Sequence, residues 1–100
     1  KTVEITSLGF SPTAMTIKKG DSVSFVNKDS AQHWPASAVH PTHTVYPGSG
    51  LDKCGTGVAI FDACKGLAVG ESFTFKFDSV GTWNYHDHLN LSLTGSITVQ

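Results

Sequence analysis

The residues best suited to chemistry in this sequence are its histidines, which fall into two short windows of the chain. Three lie between positions 31 and 44, two lie between positions 85 and 89, and the rest of the chain has none: His33, His40, His43, His86 and His88. Imidazole nitrogen is a common ligand of Cu, Zn, Ni and Fe. The grouping therefore predicts a metal site assembled from two separate parts of the chain.

His86 and His88 form the more informative pair. On a β-strand, residues two positions apart point to the same side, so the two imidazoles could chelate one ion. The alternative is a pair of exposed polar residues at a strand end. Asp87 lies between them and points to the other side, where it could bind metal, orient an imidazole or be solvated.

A second pair, His40 and His43, lies in an HPTH sequence, where the proline restricts the backbone between the two imidazoles. Either of them could instead be a solvated loop residue. His33 precedes the Trp-Pro pair at positions 34–35, a locally rigid and partly apolar setting. Its alternative role is a buried histidine satisfied by one hydrogen bond.

We expect one mononuclear site. His86 and His88 are its surest ligands, His33 follows, and either His40 or His43 completes the set. Nitrogen donors without sulfur favour Cu(II) in tetragonal geometry, and Zn(II) in a tetrahedral site is the main competitor. Because imidazole, with a pKa of about 6.5, must be neutral to bind, we expect tight binding at about pH 7 and release below about pH 6.

The elements that must position these residues are β-strands, because apolar and polar residues alternate through much of the chain. Residues 29–70 show no sustained alternation, and only residues 58–65 could form a helical turn or two. A long loop of this kind is usually functional in a small domain. Strands on both sides of it predict an antiparallel, two-sheet β-sandwich with one long loop insertion. The alternating stretches are centred on Val3 and Ile5, Met15 and Ile17, Val23 and Phe25, Phe73 to Phe77, Trp83 and Tyr85, and Ile97 and Val99.

Length and charge narrow the classes of function. One hundred residues predict a single domain spanning 1–100. A net charge of −1, with no arginine, disfavours a nucleic-acid surface, and the apolar runs are too short for membrane insertion. No serine–histidine–acid spacing, phosphate-binding glycine loop or paired carboxylates stand out, so we expect a binding protein rather than an enzyme.

The chain has two cysteines, Cys54 and Cys64, which are ten positions apart. That spacing is too long for the C-x-x-C motif of a redox or metal pair. A structural disulfide closing a small loop is favoured, and free thiols are the next alternative. A disulfide implies an oxidising compartment, so we expect a periplasmic or secreted protein, with a cleaved signal ahead of Lys1.

Two segments of the chain resemble the cupredoxins. Residues 25–33, FVNKDSAQH, resemble the strand and loop that deliver the first copper-binding histidine of that family. Residues 81–99 resemble its last two strands, whose usual pattern is G-T-aromatic-x-Tyr-x-Cys-x-x-His-x-x-Met-x-Gly-x-Ile-x-Val, and they match it without a gap. The resemblance covers nearly the whole chain except residues 34–70, and it implies a Greek-key β-sandwich.

The site departs from the cupredoxin pattern. Asp87 stands at the position of the family's cysteine, Asn90 at its second histidine and Leu93 at its axial methionine, so only His33 carries over. The resemblance therefore does not imply electron transfer through a blue copper–thiolate bond. Residues 86–88, HDH, are similar to the His-Cys-His of multicopper oxidases, and the HPTH sequence is similar to their His-Pro-x-His. Both similarities imply that such positions can reach copper.

The first functional hypothesis is a non-blue, copper-binding protein in extracytoplasmic copper handling, with a redox or copper-delivery protein as a partner. The alternatives are a copper redox protein, for electron transfer or superoxide and peroxide chemistry, and a metal-free module that acts by protein contact. One geometric question stays open. If Trp83, Tyr85 and Asp87 face the core, then His86 and His88 face away from the usual place of His33. Either the strand is irregular near Asp87 or there are two half-sites.

Overall fold

The computed structural model describes all residues, Lys1–Gln100, and folds into two four-stranded β-sheets. Its only helix is a short 3-10 turn at Leu51–Lys53, and no helix is long and apolar enough to cross a membrane. The strands are β1 (Thr2–Thr6), β2 (Gly9–Ser11), β3 (Ala14–Ile17), β4 (Ser22–Asn27), β5 (Pro35–Ser37), β6 (Ser72–Lys76), β7 (Gly81–Asp87) and β8 (Asn90–Val99).

The sheets stack as a β-sandwich, which confirms the predicted fold class. One sheet has the order β2-β1-β4-β6 and the other has the order β3-β8-β7-β5. Four of the strand pairings are antiparallel, but β1 pairs with β4 and β3 pairs with β8 in parallel. The sheets are therefore mixed rather than wholly antiparallel, because the chain crosses to the other sheet between β1 and β4.

The core lies between the sheets and is built by the predicted alternation. In β4, for example, Val23 and Phe25 are fully buried while Ser24, the residue between them, is not. Phe25 contacts Phe61 and Tyr85 at ring-centroid distances of 5.7 and 5.2 Å. Burying a side chain of this size contributes about 1.5–3 kcal/mol. The core residues are Val3, Ile5, Phe10, Ile17, Val23, Phe25, Tyr46, Phe61, Leu67, Phe75, Phe77, Tyr85, Ile97 and Val99.

The long segment between β4 and β6 differs from the prediction in two respects. It contains a buried strand, β5, which pairs with β7, and three residues are too few to show alternation. Residues 58–65, the one stretch that could have formed a helical turn or two, contain no helical residue. Phe61 of this stretch enters the core and its Asp62 bridges to Ala36 of β5, so tertiary burial decides the local structure. The Cys54–Cys64 disulfide is confirmed.

The end of β7 is irregular, as one of the two geometric alternatives required. The pairing with β8 sets His86 opposite Thr94 but Asp87 opposite Asn90, so the register shifts between His86 and Asp87. Tyr85, His86 and Asp87 are consecutive and all buried. Since neighbouring strand residues point to opposite faces, this end of β7 is covered on both sides.

Candidate metal centre

His86 is a buried residue near the end of β7. It lies between β5 and β8, opposite Ala36 and Thr94, and it is 6% exposed. Both of its ring nitrogens are buried and have no hydrogen-bond partner in the protein. Burial, and then the neighbouring imidazoles of His43 and His40, lower the pKa of His86 to about 4. Buried side-chain nitrogens are rarely left without a partner in folded proteins, so the ring of His86 is available to bind a group from outside the protein.

Three further imidazoles surround His86. Its ring centroid lies 4.8 Å from that of His43 and 5.4 Å from that of His40, and His88 lies 4.8 Å from His40. One ligand atom from each of the four rings lies within 4.8 Å of the others. We call His40, His43, His86 and His88 the histidine cluster. Two chain segments, separated by about forty residues, therefore supply two imidazoles each.

A tight loop directs His43 into the cluster. The His43 amide donates to the Val39 carbonyl at 2.7 Å, and the Val45 amide donates to the Ala38 carbonyl at 2.8 Å. His43 has a φ of 59°, in the left-handed region that non-glycine residues rarely adopt. Its side chain is fully buried. Uncommon backbone geometry of this kind concentrates at functional sites.

Asp62 is a buried carboxylate behind His43. Its Oδ2 accepts a hydrogen bond from Nδ1 of His43 at 2.7 Å, and both side chains are fully buried. Its Oδ1 accepts from the indole Nε1 of Trp34 at 2.7 Å and from the Cys64 amide at 2.8 Å. The other nitrogen of His43, Nε2, faces Nδ1 of His88 at 3.2 Å.

Trp34 covers the other side of the cluster. Its ring lies over the imidazole of His88 at a centroid distance of 4.4 Å, and the His88 amide donates to the Trp34 carbonyl at 2.8 Å. Burial lowers the pKa of His88, and so do the imidazoles of His43 and His40. The two lowered pKa values, for His86 and His88, keep these rings neutral near pH 7, which is the form that binds metal.

His33 is not part of the cluster. Its Nδ1 lies 2.6 Å from Oδ2 of Asp87, and its Nε2 lies 2.9 Å from Oδ2 of Asp29. Burial lowers the pKa of His33, but the hydrogen bonds to Asp29 and Asp87 outweigh it, so the pKa is raised overall. Both ring nitrogens are therefore engaged, and the structure does not support His33 as a metal ligand.

Asp87 takes up the role of orienting an imidazole, but the imidazole is that of His33. Its Oδ1 also accepts from the amides of Trp34 and Leu89, at 2.8 and 3.0 Å. We call this arrangement the His33–Asp87 pair. It occupies the positions where the cupredoxin resemblance places a histidine and a cysteine. The cluster, by contrast, contains His86 and His88 on either side of Asp87, as expected where neighbouring strand residues point to opposite faces.

The cluster uses both loop histidines, where the sequence predicted one or the other. Asp62 does not stand out in the sequence as a site residue, because a single acid carries no motif. One signal was available: Asp62 is the only charged residue in the stretch VAIFDAC. A carboxylate inside an apolar run is rarely buried unless it is paired.

The cluster is open to solvent on one side. His40 is exposed, and with His86 it lines a groove of about 630 Å³ that also contacts Val39 and Leu91. Val39 and Leu91 are both more than half exposed. An ion, or a second protein, can therefore approach the cluster from the groove without crossing the core.

The four imidazoles fit a metal ion that prefers nitrogen ligands. Nitrogens bound to one ion at about 2.0–2.1 Å lie about 3–4 Å apart, so the cluster needs only a small contraction to enclose one. One of the two unpaired nitrogens of His86 is an orphaned atom that such an ion would satisfy. A blue-copper ligand set does not fit, because the cysteines are joined in a disulfide and Asp87 is paired with His33.

Sequence comparisons point to one family. The model of the family described as "Copper binding proteins, plastocyanin/azurin family" matches residues 1–100. A plastocyanin from Scenedesmus fuscus is 31% identical over 96 residues, which cover 94% of this chain and 89% of that protein. A chloroplastic plastocyanin from Tetradesmus obliquus is 32% identical over 96 residues, which cover 94% of this chain and 60% of that protein.

Solved structures agree on the fold. A purple cupredoxin from Nitrosopumilus maritimus superposes with a TM-score of 0.74 at 20% identity, covering 99% of this chain and 98% of that one. A reduced amicyanin variant also superposes with a TM-score of 0.74, at 16% identity, covering 100% of this chain and 81% of that one. With a family match over the full length and a relative above 30% identity, the chain belongs to the plastocyanin/azurin family of copper-binding proteins, the cupredoxins.

Proposed function

We propose that this cupredoxin holds a single copper ion in the histidine cluster rather than in the family's usual thiolate site. The observation that carries the proposal is the pair of buried, unpartnered ring nitrogens of His86, surrounded by three more imidazoles. Leaving a buried polar atom unpaired costs about 1–3 kcal/mol. A bound ion would remove that cost at one of the two nitrogens, and no protein group does so.

The metal is Cu(II) in preference to other divalent ions. Cu(II) is bound most tightly in the first-row divalent series by nitrogen ligands, and Zn(II) is the competitor. The cluster offers no sulfur ligand, which Cu(I) prefers. When bound, the copper would be held by His40, His43, His86 and His88 and would supply a Lewis-acidic, redox-active centre.

The proposed role is copper handling outside the cytoplasm, which means binding, storing or delivering the ion. The groove beside His40 gives a partner direct access to one ligand, which suits transfer of the ion to another protein. The disulfide supports a periplasmic or secreted location, since disulfides persist in oxidising compartments.

Copper redox chemistry is the second candidate, and the same groove favours it. A small oxidant such as superoxide or peroxide could reach the site where His40 is exposed. The two roles separate by assay. A redox enzyme would turn over its substrate well above the rate of a copper–histidine complex and would lose that activity in His88→Ala. A copper-handling protein would show no turnover above the rate of that complex.

The first experiment is a titration of metal-free protein, free of a purification tag, with Cu(II) against a competing chelator. We expect one tightly bound ion per chain, a nitrogen-coupled electron paramagnetic resonance spectrum and no intense blue absorption. His86→Ala tests the cluster, and His33→Gln is the matched control because His33 lies outside it. The proposal fails if no stoichiometric copper binds, or if His86→Ala binds as tightly as wild type while His33→Gln does not.

A further inference from the structure

Asp62 lies outside the cluster and contacts it directly through His43. Its fully buried carboxylate accepts three hydrogen bonds, from the ring of His43, the indole of Trp34 and the amide of Cys64. These donors come from three separate parts of the chain. A carboxylate held in this way is fixed in orientation, and it fixes the groups that donate to it.

The contact with His43 determines which ring nitrogen of His43 is free. An ionised carboxylate only accepts hydrogen bonds, so Nδ1 of His43 carries the proton that Asp62 binds. Nε2 of His43 then has a lone pair, and it is this atom that faces the other imidazoles. Nδ1 of His88, 3.2 Å away, donates its proton to that lone pair in the metal-free protein.

We propose that Asp62 is the positioning residue of the copper centre: it keeps the proton of His43 on Nδ1 and so presents Nε2 to the metal. The inference rests on the proposed function of the cluster. Carboxylates behind metal-binding histidines fix the tautomer and raise the basicity of the ring, and their loss typically weakens metal binding about 10–100-fold.

Asp62 also reaches a second ligand through Trp34. The indole donates to Asp62 at 2.7 Å while its ring lies over the imidazole of His88. One carboxylate therefore orients His43 directly and His88 indirectly. The amide of Cys64, a residue of the disulfide, donates to the same carboxylate oxygen as the indole.

The substitution Asp62→Asn tests this role with little change in shape. The amide oxygen can still accept from Trp34 and Cys64, but the amide nitrogen donates to Nδ1 of His43. The ring proton must then move to Nε2, the atom that faces the metal. We expect about a 10–100-fold weaker affinity for Cu(II), measured by chelator competition, and a change of His43 to the Nε2–H tautomer, measured by ¹⁵N NMR of the metal-free protein.

Asp29→Asn is the matched control, because Asp29 also accepts from a histidine ring, that of His33, outside the cluster. Its copper affinity should stay within about threefold of wild type, well short of the loss expected at Asp62. The proposal is overturned if Asp62→Asn retains wild-type affinity, or if His43 keeps its proton on Nδ1. If wild-type protein binds no copper, the proposed function fails, yet the tautomer change in Asp62→Asn is still measurable.

Trp34→Phe provides a second variant in case Asp62→Asn does not fold. Phenylalanine retains a ring over His88 but removes one donor to Asp62. We expect a smaller loss of Cu(II) affinity, about tenfold, which is the lower end of the range expected for Asp62→Asn. His43 should still be protonated on Nδ1. Unchanged affinity in folded Trp34→Phe, together with an unfolded Asp62→Asn, would overturn the proposal, because the carboxylate would then act on the fold alone.

Discussion

The histidine cluster and the His33–Asp87 pair share the end of β7 but treat imidazole in opposite ways. His33 has a carboxylate on each ring nitrogen, and its pKa is raised. His86 has no partner on either nitrogen, and its pKa is lowered to about 4. The first imidazole is suited to carry a proton and the second to bind a metal, so the partners of a histidine, more than its presence, determine its chemistry.

The largest effect should follow removal of the cluster's strand ligands. His86→Ala combined with His88→Ala removes half of the imidazoles of the cluster, so we expect stoichiometric Cu(II) binding to disappear in a chelator-competition assay. The comparison with the His33–Asp87 pair breaks if this double variant still binds copper tightly while His33→Gln does not. In that case the metal would be held by the pair and not by the cluster.

A loss of stability without loss of copper should follow Asp87→Asn. The substitution places an amide nitrogen where Oδ2 of Asp87 faces Nδ1 of His33, and losing a hydrogen bond to a charged group typically costs about 1.5–3 kcal/mol. The carboxylate of Asp29 stays on the other ring nitrogen of His33. Urea unfolding of metal-free protein should show the loss, while copper stoichiometry in the folded variant stays at one. An unchanged free energy of unfolding would mean that the contact between His33 and Asp87 does not stabilise the fold.

Acid should weaken the metal-free fold through the cluster and not through the pair. The pKa of His86 is lowered, so its stabilising contribution is lost as the pH falls from about 6.5 to about 4, on the order of 3 kcal/mol at most. The charged or titratable groups that face His86 from other parts of the chain are His40, His43, His88 and Asp62. The pKa of His33 is raised, so its contribution is complete below about pH 6.5 and is lost as the pH rises through its folded value.

Urea unfolding across this pH range distinguishes the two histidines. His86→Gln should flatten the acid side of the stability profile, and His33→Gln should remove the decline on the alkaline side. The same lowered pKa values move copper release to a lower pH than the value of about 6 expected for an ordinary imidazole. If both variants gave the same profile, the contrast between the two sites would be disproved.

The last of these effects concerns the disulfide. Replacing Cys54 and Cys64 with serine removes the cross-link of a short loop. We expect the free energy of unfolding to fall by about 2–3 kcal/mol and the melting temperature to fall with it. Copper affinity should change less than in Asp62→Asn, because the Cys64 amide is retained and can still donate to the carboxylate. A larger loss of affinity than in Asp62→Asn would show that the cross-link orients the cluster.

The sequence predicted the sandwich, both strand histidines of the cluster and one of its two loop histidines, because these features depend on local patterns. Strand alternation places residues such as Phe25 in the core, and the His-x-His spacing places His86 and His88 together. The role of His33 could not be predicted in this way, since it depends on Asp29 and Asp87, and Asp87 lies 54 positions away. The role of Asp62 could not be predicted for the same reason, because His43 and Trp34 contact it only once the long segment has folded over β7.

The fixed backbone around Asp87 has a consequence for how the protein takes up its ion. Asp87 accepts from the amides of Trp34 and Leu89 and contacts the ring of His33, so the turn that carries His86 and His88 is held by contacts that need no ion. Zinc-finger domains, by contrast, fold only when the metal binds. Copper binding should therefore leave the hydrodynamic radius and the far-ultraviolet circular dichroism of the protein unchanged. After the ion passes to a partner, the metal-free protein would stay folded and could bind another.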